Sequence, residues 1–298
     1  MADYRRPLEF GFNIIPTAAS AGEARTLAQR VEAGGLDLIG IQDHPYQWRF
    51  LDTWALIAVV LAGTSRIRFF PNVSNLALRG PAMMAKQAAS LDVLSGGRFE
   101  LGVGAGAFWE AIGAMGGPVR TPREAVEALE EAIKIIRLFW SGERSISFSG
   151  RYYSVKGVHP GPAPTHPMGI WIGAIQPRML RLTGRLADGW VPSLPYSPPP
   201  QIPAMQRLID TGAAEAERDP AQIRRIYNVM GRITDGPVTQ LLEGPPSHWI
   251  EELTRFVTDL GFDTFVFWPN EDPVRQTERF AADVIPGVRE QVARARRP

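Results

Sequence analysis

The chain is 298 residues long, and 45% of its residues are hydrophobic while 21% are charged. This composition is typical of a globular protein with a large core and excludes a disordered chain. Its 32 basic residues nearly balance its 31 acidic residues, so there is no basic surface for nucleic acid or for an anionic membrane. The chain has no cysteine, which excludes disulfides and thiolate-bound metals. The longest apolar run, at 54–63, is too short to cross a bilayer, and no secretory signal is visible; we expect a cytoplasmic protein with a small-molecule partner.

Short β-rich runs alternate with longer helical patterns along the whole chain. Alternation of this kind is typical of βαβ units and a parallel sheet. Eight such units in a chain of this length predict an α/β fold, the (β/α)8 TIM barrel. The predicted strands lie at 8–14, 36–42, 66–72, 98–103, 169–173, 188–191, 223–231 and 263–268.

The helical segments carry their own start and stop signals. Thr121 and Glu124 have the spacing of a capping box, and Pro122 between them favours the first helical position, so a helix is predicted to begin there. The apolar stripe of a later helix stops at Gly261, a residue suited to a left-handed helix end.

The chain is predicted to be one domain spanning 1–298, because no linker or composition break divides it. Three segments are predicted to be insertions into the alternation of strands and helices; they lie near 105–120, 145–168 and 192–200. The run at 145–155 alternates and turns at Ser149–Gly150, which predicts a β-hairpin. The segment at 105–120 and this hairpin are the candidates for substrate selection.

Asp43 and His44 follow the second predicted strand. Active sites of TIM barrels lie at the carboxyl ends of the strands. A neutral imidazole moves protons near pH 7, and the preceding carboxylate can orient it or stabilise its charge; a histidine that only caps the strand is the alternative interpretation. No metal site is predicted, because the four histidines show no ligand spacing.

Small and aromatic residues follow other strands. The stretch GVGAG at 102–106 lacks the third glycine of a dinucleotide fingerprint because Ala107 occupies that position, but its small residues let a flat ring approach the backbone. Four tryptophans at strand ends are predicted to line the barrel mouth and to form a pocket for a planar ligand. They are Trp48, Trp109, Trp190 and Trp268.

The stretch GAIQPRML at 173–180 places Pro177 at a first helical position, with Arg178 next to it. Free backbone N–H groups at such a helix start form a phosphate cradle. An ordinary helix start with a solvated arginine is the alternative interpretation.

Four blocks, at 65–106, 169–190, 217–223 and 263–273, together with the eight-unit pattern, resemble the bacterial luciferase-like superfamily of flavin- and deazaflavin-dependent oxidoreductases. The resemblance covers nearly the whole chain. The stretches DHPYQW (43–48) and QPRMLRL (176–182) are most similar to the branch that uses coenzyme F-420 (F420, an 8-hydroxy-5-deazaflavin).

The resemblance implies an oxidoreductase that transfers hydride between F420 and a small organic substrate. His44 would be the acid/base, positioned by Asp43, and a non-prolyl cis peptide would lie at Asn72–Val73. Trp48 would also line the side of the site that faces the substrate. The implied cofactor-binding residues are Trp48, Asn72, Val73, Ser74, Ala105, Gly106, Gly173, Ala174, Ile175, Gln176, Pro177, Arg178 and Met179, and the expected substrate pocket has Trp109, Glu110, Trp190 and Trp268.

One departure from the branch concerns the substrate. Its sugar-phosphate dehydrogenases carry a glutamate directly after the glycine-rich stretch, where this chain has Ala107, and Glu110 comes three residues later. The surrounding segment at 107–117 is otherwise apolar. The sequence therefore favours a fairly apolar substrate over glucose 6-phosphate.

Alternative functions remain open at this stage. One is an FMN-dependent monooxygenase that receives reduced flavin from a separate reductase; others are a non-catalytic flavin-binding barrel and a cofactor-free lyase or hydrolase. The resemblance also implies a homodimer. The apolar stretches at 55–62 and 83–91 could form its interface, although the core-facing sides of barrel helices explain them as well.

Overall fold

The computed structural model describes residues 3–297. Within them, short parallel strands alternate with helices. The strands are β1 Glu9–Ile14, β2 Leu38–Ile41, β3 Arg68–Pro71, β4 Ser74–Asn75, β5 Leu101–Gly104, β6 Ile146–Ser149, β7 Ser154–Val158, β8 Ile170–Ile172, β9 Gly189–Trp190, β10 Arg224–Ile233, β11 Glu243–Gly244 and β12 Thr264–Pro269. The α-helices are α1 Ala21–Ala33, α2 Thr53–Ala62, α3 Pro81–Ser95, α4 Trp109–Ala114, α5 Pro122–Trp140, α6 Pro177–Leu186, α7 Ile202–Glu215, α8 Pro246–Thr258, α9 Pro273–Arg279 and α10 Ile285–Ala295.

The main sheet curves into a barrel. Its strand order is β3-β2-β1-β12-β10-β9-β8-β5-β4. The two ends meet where the amide of Phe69 donates to the carbonyl of Arg98 and the amide of Glu100 donates to the carbonyl of Phe69, both at 2.9 Å. Each of the eight predicted strand segments overlaps a barrel strand, so the predicted TIM barrel is confirmed.

Alternate strand residues fill the barrel interior, because side chains of a strand point to opposite faces. Small and large residues complement each other there: a Cβ on Gly102 would lie 2.0 Å from the carbonyl oxygen of Pro71, so only glycine fits at that position. The inner core consists of Leu38, Phe70, Trp171, Val191, Ile226 and Val266. The opposite faces pack against the helices in a larger apolar core.

Charged side chains close the amino-terminal end of the barrel. Arg68 donates to Glu100 at 3.0 Å, and Arg224 pairs with Glu9 at 2.8 Å. This paired layer leaves the carboxyl end of the barrel as the end that opens to ligands. No helix in residues 3–297 combines the length and apolar character needed to cross a lipid bilayer.

Local predictions from the sequence also match the structure. The predicted capping box is present, with Thr121 and Glu124 each bonding to the other's backbone. The predicted hairpin forms from β6 and β7, which pair antiparallel just after α5.

A histidine ties the proline-rich loop before β8 to the base of the barrel. His166 Nδ1 lies 2.7 Å from Asp92 Oδ1, and its Nε2 lies 3.5 Å from Glu100 Oε1. Both carboxylates are buried. The carboxylates of Glu100 and Asp92 together raise the pKa of His166 above its usual value of 6.5.

This ion pair should make stability depend on pH. Because the folded-state pKa is raised, the stabilisation is fully present below 6.5, the value expected in the unfolded chain, and is lost as pH rises through the folded pKa. We expect the midpoint temperature of thermal unfolding of the wild type to decrease as the pH rises through that range. The variant His166→Gln should not show this fall, and equal pH dependence of the two proteins would show that the pair does not contribute.

Candidate active site

The centre of the barrel mouth is formed by Val73. The Asn72–Val73 peptide bond is cis, as the resemblance implied. A Cβ on either Gly104 or Gly173 would come within 3.0 Å of a methyl group of Val73. The two glycines, which end β5 and follow β8, therefore leave the space that the Val73 side chain occupies.

A layer of amides lies in the barrel at the level of Asn72. Asn72 Nδ2 donates to Asn228 Oδ1 at 2.7 Å and to Asn13 Oδ1 at 3.3 Å. Asn228 Nδ2 in turn donates to Ser193 Oγ at 3.0 Å, and Trp268 Nε1 donates to Asn228 Oδ1 at 3.3 Å. The Nδ2 group of Asn13 is buried and has no hydrogen-bond partner within residues 3–297. The layer thus retains one free donor.

His44 pairs with Tyr46 beside this centre. His44 Nδ1 lies 2.7 Å from the Tyr46 hydroxyl, and the ring of Phe108 lies 5.9 Å from the imidazole, edge to face. Burial lowers the pKa of His44, and the nearby charge of Asp43 opposes that shift. Burial also raises the pKa of Tyr46 to about 12. At neutral pH the pair is therefore a neutral imidazole next to a protonated phenol.

Asp43 makes no hydrogen bond to the imidazole. Its buried carboxylate accepts from Arg79 Nε at 3.2 Å and from the amide of Asn75 at 3.1 Å. The prediction that Asp43 orients the His44 ring therefore has no hydrogen bond behind it within the described part of the chain, whereas its charge acts on the imidazole by opposing the lowering of the pKa of His44. Asp43 also fixes the loop after β3. Its second oxygen, Oδ1, is buried and unpartnered within the same residues.

A cleft of about 670 Å³ lies between the loops after β5 and β8, and is named here the α6 cleft. It brings together Ala105, Gly106, Trp109, Pro122, Ala125, Val126, Gln176, Pro177, Arg178 and Met179. At its wall α6 begins with Pro177, and the side chain of the preceding Gln176 makes no capping hydrogen bond. The first N–H groups of a helix have no intrahelical partner and attract anions. With the exposed Arg178 beside them, they suit a phosphate group.

A second cleft, of about 740 Å³, begins at the barrel mouth and extends between α1 and α9; it is named here the α1–α9 cleft. Its lining includes Asn13, Ile15, Met230 and Trp268 at the mouth, and Gly22, Leu27 and Val274 on the two helices.

The four tryptophans predicted to line the barrel mouth lie in different places in the structure. Trp268 lines the α1–α9 cleft, whereas Trp109 lines the α6 cleft with the predicted cofactor residues. Trp190 is 0% exposed; its Nε1 donates to the carbonyl of Ala174 at 2.9 Å, and its ring stacks on Phe262. The prediction that Trp190 lines the mouth is therefore wrong. Trp48 is 84% exposed and lies outside both clefts.

The remaining predicted residues differ in their exposure. Ser74 is 0% exposed and its Oγ accepts from Trp54 Nε1 at 2.9 Å, so it presents no surface to a ligand. Ala174 is buried, whereas Ile175 and Glu110 are exposed at the rim. The two clefts do not include Glu110.

Sequence reasoning missed Tyr46, Phe108, Arg79 and the amides Asn13 and Asn228. A signal existed for the amides: Asn13 lies between the apolar Phe12 and Ile14, and Asn228 between Tyr227 and Val229, and a polar residue within such a run is the informative exception. Tyr46 lies two residues after His44, but the sequence gives no sign that their side chains meet. The contacts of Phe108 and Arg79 depend on the folded loops.

Comparisons with known proteins define the class. The model of the luciferase-like monooxygenase family matches residues 9–237, and the chain belongs to this family. The family resemblance seen in the sequence is thereby confirmed.

Individual relatives show which members of the family this chain is similar to. An F420-dependent glucose-6-phosphate dehydrogenase from Kineococcus radiotolerans is 28% identical, with 95% of this chain and 98% of the relative covered. An F420-dependent hydroxymycolic acid dehydrogenase from Mycobacterium tuberculosis is 28% identical, with 88% and 83% covered. A solved F420-dependent secondary alcohol dehydrogenase, in complex with an F420-acetone adduct, has a TM-score of 0.85 at 18% identity, with 95% and 99% covered.

Proposed function

We propose that the protein is an oxidoreductase that transfers hydride between coenzyme F420 and a small organic substrate, with His44 as the residue that moves the accompanying proton. The observation that carries the proposal is the arrangement at the barrel mouth. The His44–Tyr46 pair lies after β2, Val73 follows β3 and packs against two glycines, and the α6 cleft lies after β5 and β8. The names of the relatives support the choice of F420.

The residues present fit this coenzyme. The start of α6 and Arg178 would hold its phosphate, since both favour an anion. Ala105 and Gly106 line the α6 cleft and carry little or no side chain, so a flat ring can approach the backbone there. Two buried polar atoms at the mouth, Asp43 Oδ1 and Asn13 Nδ2, lack partners within residues 3–297 and can bind polar groups of a ligand.

The proposed reaction balances in both directions. When an alcohol is oxidised, the carbinol C–H bond breaks and its hydrogen leaves with both electrons, which oxidised F420 accepts. The hydroxyl O–H bond breaks, a C=O bond forms, and His44 Nε2 accepts the proton. In the direction of carbonyl reduction, His44 donates that proton.

The Tyr46 hydroxyl allows His44 to serve both directions. A hydroxyl can donate or accept. When it accepts from Nδ1–H, Nε2 of the neutral imidazole is free to act as base, and the same hydrogen bond stabilises the imidazolium that forms, whose Nε2–H acts as acid in the reverse direction. One tautomer of His44 therefore serves both directions.

Replacing Tyr46 should change the pH profile. Tyr46→Phe removes a hydrogen bond that stabilises the imidazolium, so we expect kcat for alcohol oxidation to fall about three- to tenfold. For the wild type, kcat/KM should decrease on acidification with a midpoint below pH 6.5, because the pKa of His44 is lowered. In Tyr46→Phe this midpoint should lie at a still lower pH. Tyr196→Phe, at an exposed tyrosine, is the matched control. An unchanged profile in Tyr46→Phe would remove this tyrosine from the reaction.

Steady-state assays test the function itself. We expect oxidised F420 to lose its visible absorbance when the protein is mixed with a suitable alcohol, with no oxygen consumed. Oxygen uptake that requires reduced FMN and a flavin reductase would instead support the monooxygenase activity in the family's name. Tight coenzyme binding without turnover of any alcohol, ketone, imine or enone would support a non-catalytic carrier.

We also propose a cytoplasmic homodimer. The outward face of α2 presents Ala55, Ala58, Val59 and Ala62, and α3 presents the exposed Met83 and Leu94. Light scattering of the purified protein measures the mass of the assembly, and a monomer at micromolar concentration would contradict the dimer.

A further inference from the structure

The α1–α9 cleft lies across the barrel mouth from the α6 cleft. It begins at the carboxyl ends of β1 and β12, whereas the α6 cleft follows β5 and β8. In the barrel, β2 and β3 separate β1 from β5 on one side, and β9 and β10 separate β12 from β8 on the other. A coenzyme whose phosphate lies at α6 therefore leaves the α1–α9 cleft free for a second molecule.

The lining of the α1–α9 cleft is mainly apolar and carries no surplus positive charge. Its charged lining residues are Glu23, Arg30 and Glu271. Arg30 pairs with Glu278 at 3.1 Å, and Glu271 pairs with Arg232 at 3.2 Å. A phosphate dianion in this cleft would meet two carboxylates and one cation that is already paired. The cleft therefore favours an uncharged ligand.

One polar group on the cleft wall remains available for a ligand. Asn13 is 3% exposed and lines the cleft at the barrel mouth. Its Oδ1 accepts from Asn72, which fixes the orientation of the amide, and its Nδ2 is the unpartnered donor described above. Buried donors are normally hydrogen-bonded, so a ligand oxygen placed here would satisfy the group.

We propose that the α1–α9 cleft binds the organic substrate, and that this substrate is an uncharged secondary alcohol or its ketone with an apolar chain. The chain lies between α1 and α9, and an oxygen of the substrate accepts from Asn13 Nδ2. This inference rests on the proposed hydride transfer, and it sets the chain apart from the glucose 6-phosphate enzymes among its relatives.

Gly22 provides the sharpest test. It lies in the first turn of α1 and lines the cleft, and a Cβ added there would meet nothing within 4 Å. Gly22 is exposed, so Gly22→Phe places a large apolar side chain at the surface of the cleft with little disturbance of the fold. Ala21→Phe is the matched control, because Ala21 is an exposed neighbour outside the cleft lining.

The kcat/KM of the wild type and of each variant is measured with 2-octanol and with 2-propanol as substrates. We expect Gly22→Phe to lower kcat/KM for 2-octanol by at least about tenfold and to leave 2-propanol, which is too short to reach α1, unchanged. Ala21→Phe should match the wild type with both alcohols. If Gly22→Phe has the same kcat/KM as the wild type for both alcohols, the cleft is not the substrate site.

Calorimetry of the coenzyme-free protein separates failure of the cleft from failure of the function. We expect 2-octanone to bind the wild type, Asn13→Ala to weaken binding by up to about tenfold, and Gly22→Phe to abolish it. Glucose 6-phosphate should not bind. Binding of 2-octanone that Gly22→Phe abolishes, without any F420 turnover, would uphold the cleft and reject hydride transfer. Binding of glucose 6-phosphate that Gly22→Phe abolishes would overturn the proposed substrate class.

Discussion

Replacing His44 with alanine is expected to slow turnover by about 100- to 10,000-fold, the usual range for a residue that transfers a proton in the rate-limiting step. The affinity for F420 should stay nearly unchanged. The physical reason is that the imidazole, held by the Tyr46 hydroxyl at 2.7 Å, supplies or accepts a proton that water would otherwise move less effectively.

The control for this experiment is His248→Ala. His248 lies in α8, where its Nε2 bonds to the carbonyl of Leu241, and it makes no hydrogen bond to the His44–Tyr46 pair within residues 3–297, so its loss should leave kcat unchanged. If His44→Ala retains the turnover of the wild type, proton transfer by His44 is excluded. If it instead loses F420 affinity with kcat intact, His44 binds the coenzyme and does not move the proton.

Replacing Arg178 with alanine is expected to raise the Kd for F420 by about 10- to 100-fold, because a hydrogen bond to a charged group contributes about 1.5–3 kcal/mol. The N–H groups of α6 would still bind the phosphate, so binding should weaken without being abolished. The wild-type affinity should also fall as salt is added, and that of Arg178→Ala should fall less.

Arg181 offers a matched control on the same helix. It pairs with Glu215 at 2.8 Å and does not line the α6 cleft, so Arg181→Ala should bind F420 as the wild type does. A deazaflavin chromophore without the phosphate side chain should not distinguish wild type from Arg178→Ala. Equal loss of affinity for both molecules would place Arg178 at the ring instead.

The barrel and the start of α6 could be predicted from the sequence because local rules determine them. Each strand carries a short β-rich run, and Pro177 marks a helix start whatever lies around it. The same local evidence placed Ala105, Gly106 and Gln176 to Met179 at one end of the barrel, and the structure brings them into one cleft.

Predictions that depended on side-chain direction were less successful. Trp190 ends β9 and Val191 follows it in extended chain, so their side chains point to opposite faces; Val191 belongs to the inner core and Trp190 to the core that packs against the helices. Asp43 and His44 are also adjacent, yet Asp43 turns to Arg79 while His44 turns to Tyr46. Adjacency in sequence gave no contact between them.

The contacts within the amide layer could not be predicted from the sequence. Asn13, Asn72 and Asn228 come from β1, the loop after β3, and β10, and their contacts span up to 156 positions in sequence. Hydrophobic periodicity describes which face of a strand is buried but not which distant polar groups meet on that face.

The most direct test of the account is a titration of the coenzyme-free protein with F420 and, in parallel, with FMN, followed by tryptophan fluorescence. Trp109 lines the α6 cleft and Trp268 lies at the barrel mouth, so a bound ring should quench the signal. We predict saturable quenching by F420 and at least about tenfold weaker binding of FMN, the equivalent of about 1.4 kcal/mol. Tighter binding of FMN than of F420, or no binding of either, would contradict the proposed hydride transfer.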